Sequence, residues 1–232
     1  MWREGEHDVT DTSTTTVESM DFDLEHTDRL LLTTKQVRKR LDMTRPVPRE
    51  VLIECIDLAS RAPMGGNHQR NKWMIVEDPD LKMQIAERYR MHAEPYLKES
   101  AEVKVDARGE RVANSAMYLS DHLHEVPAMV IPLRLDRPED LGHSSRCAWY
   151  GSVLPGVWSF QMALRSRGLG SCWTTLHLDS EAEVGELLGI PNTVTQVALL
   201  PVGYYTGDSF SVTPRRPAAE ITFIDRWGQT AD

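Results

Sequence analysis

The 232-residue chain contains no run of about 18 apolar residues, so no stretch of it reads as a membrane-spanning helix. Cysteine is scarce. Cys55, Cys147 and Cys172 are far apart and odd in number, with neither disulfide-framework nor zinc-type spacing, which points to a reducing cytoplasm. Residues 1–17 are acidic and polar without an apolar core, unlike a secretory signal. The common catalytic signatures are missing too: there is no G-x-S-x-G elbow, Walker A loop, H-E-x-x-H or Cys-x-x-Cys. Gly168-x-Gly170 is too short for a dinucleotide fingerprint and precedes a strand-like segment, whereas that fingerprint opens a helix. The eight histidines are scattered. His122 and His124, two apart, would face differently on a helix, and His143 stands alone. No internal repeat is visible.

Charge is unevenly spread. Residues 1–30 carry nine acids against Arg3 and Arg29, a net of −7, which leaves −2 of the chain's −9 for the rest. The acidic, Thr-rich segment 1–27 reads as a disordered, solubilising leader. Residues 28–232 read as the globular domain, near neutral and with no basic stripe for nucleic acid. At 41% hydrophobic and 26% charged, the chain has enough apolar material for a buried core.

Residues 28–34 predict a short helix. Pro48 opens a stronger one, with Val51, Leu52, Cys55, Ile56, Leu58, Ala59 and Ala62 at helical spacing. Pro63 stops it. Residues 73–77 then predict a strand, and Asp78 caps a helix over about 79–92. Residues 93–110 give no clear signal, while 109–123 predict a helix. A mostly apolar strand follows over 127–135, then a polar loop over 136–148. The segment 149–164 reads as one helix apolar on most sides, which belongs at a core or a subunit interface. Residues 171–176 are strand-like, Asp179 caps a helix ending at Leu188, and 195–205 predict the last strand.

What the sequence does hold is a set of cationic and glycine-bearing loops. Lys35, Arg38, Lys39 and Arg40 sit within six residues, either as a solvated patch or as a phosphate clamp. Gly65 and Gly66 lie between Pro63 and the polar run Asn67-His68-Gln69, where backbone can approach a ligand closely. Two separated cationic clusters with few acid–base residues suit an organic, anionic cofactor held at its phosphate.

Four segments, Thr34-Lys35-Gln36-Val37-Arg38-Lys39-Arg40, Ala62-Pro63-Met64-Gly65-Gly66-Asn67-His68-Gln69, Gly168-Leu169-Gly170-Ser171-Cys172-Trp173-Thr174-Thr175 and Pro214-Arg215-Arg216-Pro217, together resemble the FMN-dependent nitroreductase family in order and separation over about residues 28–228. The resemblance implies an α+β, three-layer fold, its mostly antiparallel central sheet flanked by helices, in an intertwined homodimer with FMN at the interface. It assigns the FMN phosphate to Arg38, Lys39, Arg40 and Arg215. Many members carry Arg-Arg-Ser where this chain has Thr34-Lys35-Gln36. Pro63, Met64, Gly65, Asn67 and Gln69 would meet the partner subunit's flavin, Met64 standing where a small hydroxyl residue is commoner. Cys172, Trp173, Thr174, Thr175 and Leu176 would run beside the ring, and the helix around Trp158 would form the dimer's centre. The implied activity is an oxidoreductase using NADH or NADPH to reduce a nitroaromatic, quinone or similar small-molecule acceptor, with no assigned catalytic side chain. Tyr89, His92, Tyr96 and Trp149 are candidates for the acceptor pocket. Dehalogenation, flavin fragmentation, dehydrogenation and flavin storage or sensing with little turnover remain alternatives on the same fold.

Overall fold

In the computed structural model, which describes the backbone of residues 22–102 and 107–230, a five-stranded antiparallel sheet is built around one strand. That strand is β2 (Ala128–Leu135), buried at seven of its eight residues. On one edge it pairs with β1 (Asn71–Val76), from Asn71↔Arg134 to Val76↔Met129. Its other edge is shared by β4 (Val194–Gln196) and β5 (Leu200–Tyr204), and β3 (Leu169–Ser171) extends the sheet beyond β5.

The predicted strand over 195–205 is therefore interrupted. Between the pairs Val130↔Leu200 and Leu133↔Gln196, β2 spends two residues and its neighbour three. Pro132, with no N–H to give, lies at that irregularity and accepts from the Val197 amide. Leu199 instead exchanges both backbone bonds with Thr174, which ties the segment after β3 to the sheet.

Alternate residues of β2 feed two cores. Met129, Ile131 and Leu133 pack with Ile85, Leu119, Leu123 and Leu199 beneath α3 (Pro79–Glu102) and α4 (Ala107–His122). Ala128 and Val130 pack with Leu52, Cys55, Phe160 and Leu164 beneath α2 (Arg49–Ala59) and α6 (Leu154–Ser166). The result is the expected helix–sheet–helix α+β arrangement. Gly156 lets α6 lie against α2, because a Cβ there would meet the Ala59 carbonyl at 3.3 Å. Most of α6's apolar circumference is thus used inside the chain.

Several boundaries differ from the sequence expectation: of the strand-like segment 171–176 only Ser171 lies in a strand, the end of β3, and Thr174 makes one isolated bridge to Leu199. α3 continues through Pro95 to Glu102 rather than stopping near 92, since Ala93 and Leu97 prolong the buried Ile85–Tyr89 stripe. The apolar helix predicted over 149–164 is two helices, α5 (His143–Gly151) and α6, broken at Ser152–Val153 just before Pro155, so part of the predicted 136–148 loop is helical. α1 (Leu24–Thr33) begins before residue 28, where the Asp23 side chain accepts from the His26 amide. The acidic leader otherwise falls outside the described residues. Among these, no helix is long and apolar enough to cross a membrane. All three cysteines are free.

A helical turn, Leu176–Ser180, runs into α7 (Glu181–Leu188), with Ser180 rather than Asp179 at the cap position. It buries His177 completely, and neither ring nitrogen has a partner among the described residues. Burial lowers this imidazole's pKa from 6.5 to about 3. The unfolded chain therefore binds the proton first: stability from this group is full above pH 6.5 and is lost as pH falls toward 3. By pH 5 the loss should be about 2 kcal/mol, or about 4–8 °C in Tm for a chain of this size. His177→Leu should melt no lower than the parent at pH 7 and show a flatter dependence between pH 7 and about 5. Thermal melts across that range check this, and parallel curves for the two proteins would contradict it.

Candidate functional site

The site begins where α1 stops. The Thr34 amide and hydroxyl both turn back to the Leu30 carbonyl, at 3.0 and 2.7 Å, and the chain leaves the helix extended. The Val37 amide then donates to the Ser171 carbonyl at 2.8 Å, fastening residues 34–38 beside β3. Side-chain size enforces this contact. A Cβ on Gly170 would stand 2.9 Å from Val37 Cβ, so only glycine admits the buried valine.

With Val37 fixed, its neighbours reach the segment that follows β3. The Trp173 amide donates to Gln36 Oε1, and the Arg38 guanidinium lies against the Cys172 thiol. Burial pushes the Cys172 thiol up despite that arginine, which makes it a poor nucleophile. Thr174 donates its hydroxyl to the buried Tyr89 at 2.9 Å and its amide to Leu199. Two amides of residues 172–176 are therefore already engaged.

The opposite wall comes from the chain after β5. Arg40 donates to the carbonyls of Thr206 (2.6 Å) and Ser209 (2.8 Å), and Lys35 donates to that of Ser211 (2.8 Å). These bonds carry residues 211–215 over to residues 34–38. The cleft between them has a volume of about 950 Å³. Leu31 and Leu32 of α1, Arg111, Val112 and Ser115 of α4, and Trp158 of α6 complete its lining. Lys35, Arg38, Arg111 and Arg215 all line it, and among the described residues no carboxylate does. A concave site of one sign attracts a multiply charged anion, and forked guanidinium groups suit phosphate oxygens.

Of the residues singled out from sequence, Arg38 and Arg215 meet in this cleft; Lys39 and Arg40 do not line it. Lys39 Nζ sits 5.9 Å from the centre of the Tyr118 ring, and Arg40 is committed to the 206–209 carbonyls. Cys172, Trp173, Thr174, Thr175 and Leu176 adjoin the cleft only through Gln36 and Arg38. Pro63, Met64, Gly65, Asn67 and Gln69 lie outside it. Their loop is held from the α5–α6 break, where Ser152 Oγ accepts from the Gly65 amide at 3.0 Å and the Ser152 carbonyl from Asn71 Nδ2 at 2.8 Å. Gly66 and Asn67 both have positive φ, and residues 65–69 are largely exposed.

The acceptor-pocket candidates have other positions. Tyr89 is buried against Thr174, and His92 Nε2 is 2.8 Å from Ser180 Oγ, joining α3 to the 176–180 turn. Trp149 is buried with its indole N–H on Asp136, while Tyr96 is exposed. Sequence reasoning missed Arg111 and the cleft-facing role of Trp158. An arginine on a polar helix carries no local signal, and Trp158 is legible in the sequence only as one more apolar residue of its helix.

The α+β sandwich therefore carries an electropositive cleft beside the β3 edge of its sheet. The chain belongs to the nitroreductase family, whose model matches residues 33–204. Rat iodotyrosine deiodinase 1 is 26% identical over 178 residues, 75% of this chain, which spans 60% of that protein's length. A crystal structure of oxidized iodotyrosine deiodinase bound to FMN and 3-iodo-L-tyrosine matches with a TM-score of 0.60 and 24% identity, covering 84% of this chain and 96% of that one. A mutant form of an FMN and NADPH-dependent nitroreductase from sphigopyxis sp. strain HMH matches with a TM-score of 0.61 and 19% identity, over 86% and 99% of the two chains.

Proposed function

We propose that the cleft holds FMN by its phosphate and that the chain is an FMN-dependent oxidoreductase. The observation that carries this reading is the convergence of Lys35, Arg38, Arg111 and Arg215 on one cleft with no carboxylate among the described residues that line it. Arg38, Arg215 and Lys35 would take the phosphate oxygens. Leu31, Leu32, Val112 and Trp158 offer apolar surface to the remainder of the ligand. Thr175 is exposed next to the two engaged amides, which makes it the member of residues 172–176 best placed to donate toward the ring. Bound there, FMN would supply hydride and electron transfer between NADH or NADPH and a nitroaromatic, quinone or similar acceptor. The protein's part is to bind, orient and polarise; its cations would favour the more negative, reduced form of the cofactor.

The exposed 63–69 loop fits a homodimer in which Pro63, Met64, Gly65, Asn67 and Gln69 serve the partner's cofactor. Ile53 and Leu58 on α2, together with Ile221 and Trp227 near the C-terminus, are exposed apolar residues that such an interface would cover. A cytoplasmic location agrees with three unpaired cysteines.

One observation favours a second reading, reductive dehalogenation of an iodinated or brominated aromatic: the similarity to rat iodotyrosine deiodinase 1. Steady-state oxidation of NADH and NADPH with a nitroaromatic or a quinone separates the two, run beside 3-iodotyrosine turnover with dithionite as reductant. Nucleotide-driven acceptor reduction is the expected result. A flavin-loaded protein bleached by neither nucleotide, yet releasing iodide with dithionite, would replace the reductase reading with the dehalogenase one.

A further inference from the structure

Phe210 lies outside the cleft, on the loop between β5 and Arg215, and its surroundings are unusual. The Arg40 guanidinium carbon stands 4.1 Å from the ring centre, that of Arg165 4.5 Å, and Lys35 Nζ 5.7 Å. Tyr205 closes the fourth side edge-on, with ring centres 4.8 Å apart. Arg165 also donates to the Tyr205 hydroxyl and, at 3.3 Å, to Thr33 Oγ1. Among the described residues, none of these three cations forms an ion pair, and Arg165 Nε is buried without a partner. Three like charges are held together here by the Phe210 ring and a row of carbonyls, not by carboxylates.

We propose that Phe210 is a positioning residue that sets the phosphate clamp. Held by both Arg40 and Arg165, it fixes residues 206–213, and through them Lys35 and Arg215, at one spacing across the cleft. This inference rests on the flavin reading of the cleft. It also gives Arg40 a role in place of direct phosphate contact: Arg40 holds the carbonyls of Thr206 and Ser209 and one face of Phe210. Gly207 belongs to the same device. Its φ is +80°, where an L side chain is strained, and a Cβ there would lie 2.8 Å from Arg40 Nη2, so a side chain at this position would displace the guanidinium.

Loss of the clamp should weaken recognition of the phosphate and spare that of the ring system, which separates positioning from general damage. The experiment is flavin-fluorescence titration of the cofactor-free protein with FMN and, separately, with riboflavin, which lacks the phosphate. Phe210→Ala should raise the Kd for FMN about tenfold, the scale of one or two lost cation–π contacts, and leave that for riboflavin within about twofold. Phe210→Trp, which restores an aromatic face, should recover most of the FMN affinity, and Gly207→Ala should reproduce the loss. In an Arg215→Ala background, Phe210→Ala should add little, because both act on one clamp. Amide exchange should quicken over 206–213 in Phe210→Ala while α6 is unchanged. Equal weakening of FMN and riboflavin, no weakening of either, or additivity with Arg215→Ala would overturn the role. If the unaltered protein bound neither flavin, the fault would lie in the flavin reading itself.

Discussion

Replacing both Arg38 and Arg215 with alanine is expected to give a largely colourless protein whose Kd for FMN is raised by about two to four orders of magnitude. The size follows from the chemistry of the cleft. A hydrogen bond to an ionised group contributes about 1.5–3 kcal/mol, and here two guanidinium groups on separate loops face one site. Arg215 is exposed and Arg38 half-buried, and neither forms an ion pair among the described residues, so the fold should survive. Absorbance of the purified variant and fluorescence titration with FMN check the result, with unfolding curves as control. Retention of full flavin content would contradict the assignment of the phosphate to this cleft.

Gly170→Ala should have an effect out of proportion to one methyl group. The added carbon would meet Val37 Cβ at 2.9 Å and both of its methyls at 3.0 Å, and Val37 cannot retreat without breaking the hydrogen bond its N–H donates to the Ser171 carbonyl. Overpacking of this kind costs about 1–3 kcal/mol, or roughly 2–12 °C in Tm. Binding should suffer as well, because moving Val37 moves Lys35, Gln36 and Arg38 together; we expect FMN binding to weaken at least about tenfold. Val37→Ala added to Gly170→Ala relieves the clash, and should restore both the melting temperature and most of the affinity. A double variant no better than Gly170→Ala alone would show that residues 34–38 are not placed by this contact.

Much of the architecture was legible because its determinants are local. The apolar run of β2, the Asp78 side chain accepting from the Leu81 amide before α3, and the Pro63 stop after α2 each act within a few residues. The errors came where a distant neighbour decides. Ser152 breaks the apolar segment into α5 and α6 and holds the Gly65 loop, a pairing across 87 positions. The strand over 195–205 splits because its partner carries Pro132, which no reading of that strand alone could show.

The site followed the same division. Arg38 and Arg215 stood out as cations in motif-like settings, and the fold brings them into one cleft. Arg40 stood out equally but is drawn away by Phe210 and the 206–209 carbonyls, all far along the chain, the Thr206 carbonyl alone 166 positions on. Arg111 joins the cleft only because α4 packs on α3. Local sequence reveals which side chains can bind a phosphate; it does not reveal which of them the tertiary structure leaves free to do so.

The most direct measurement is titration of the cofactor-free protein with FMN and with riboflavin at low and high salt. A phosphate held by Lys35, Arg38 and Arg215 predicts that FMN binds at least about a hundredfold more tightly than riboflavin and that salt erodes the difference. Equal affinities for the two flavins, or binding of neither, would contradict it.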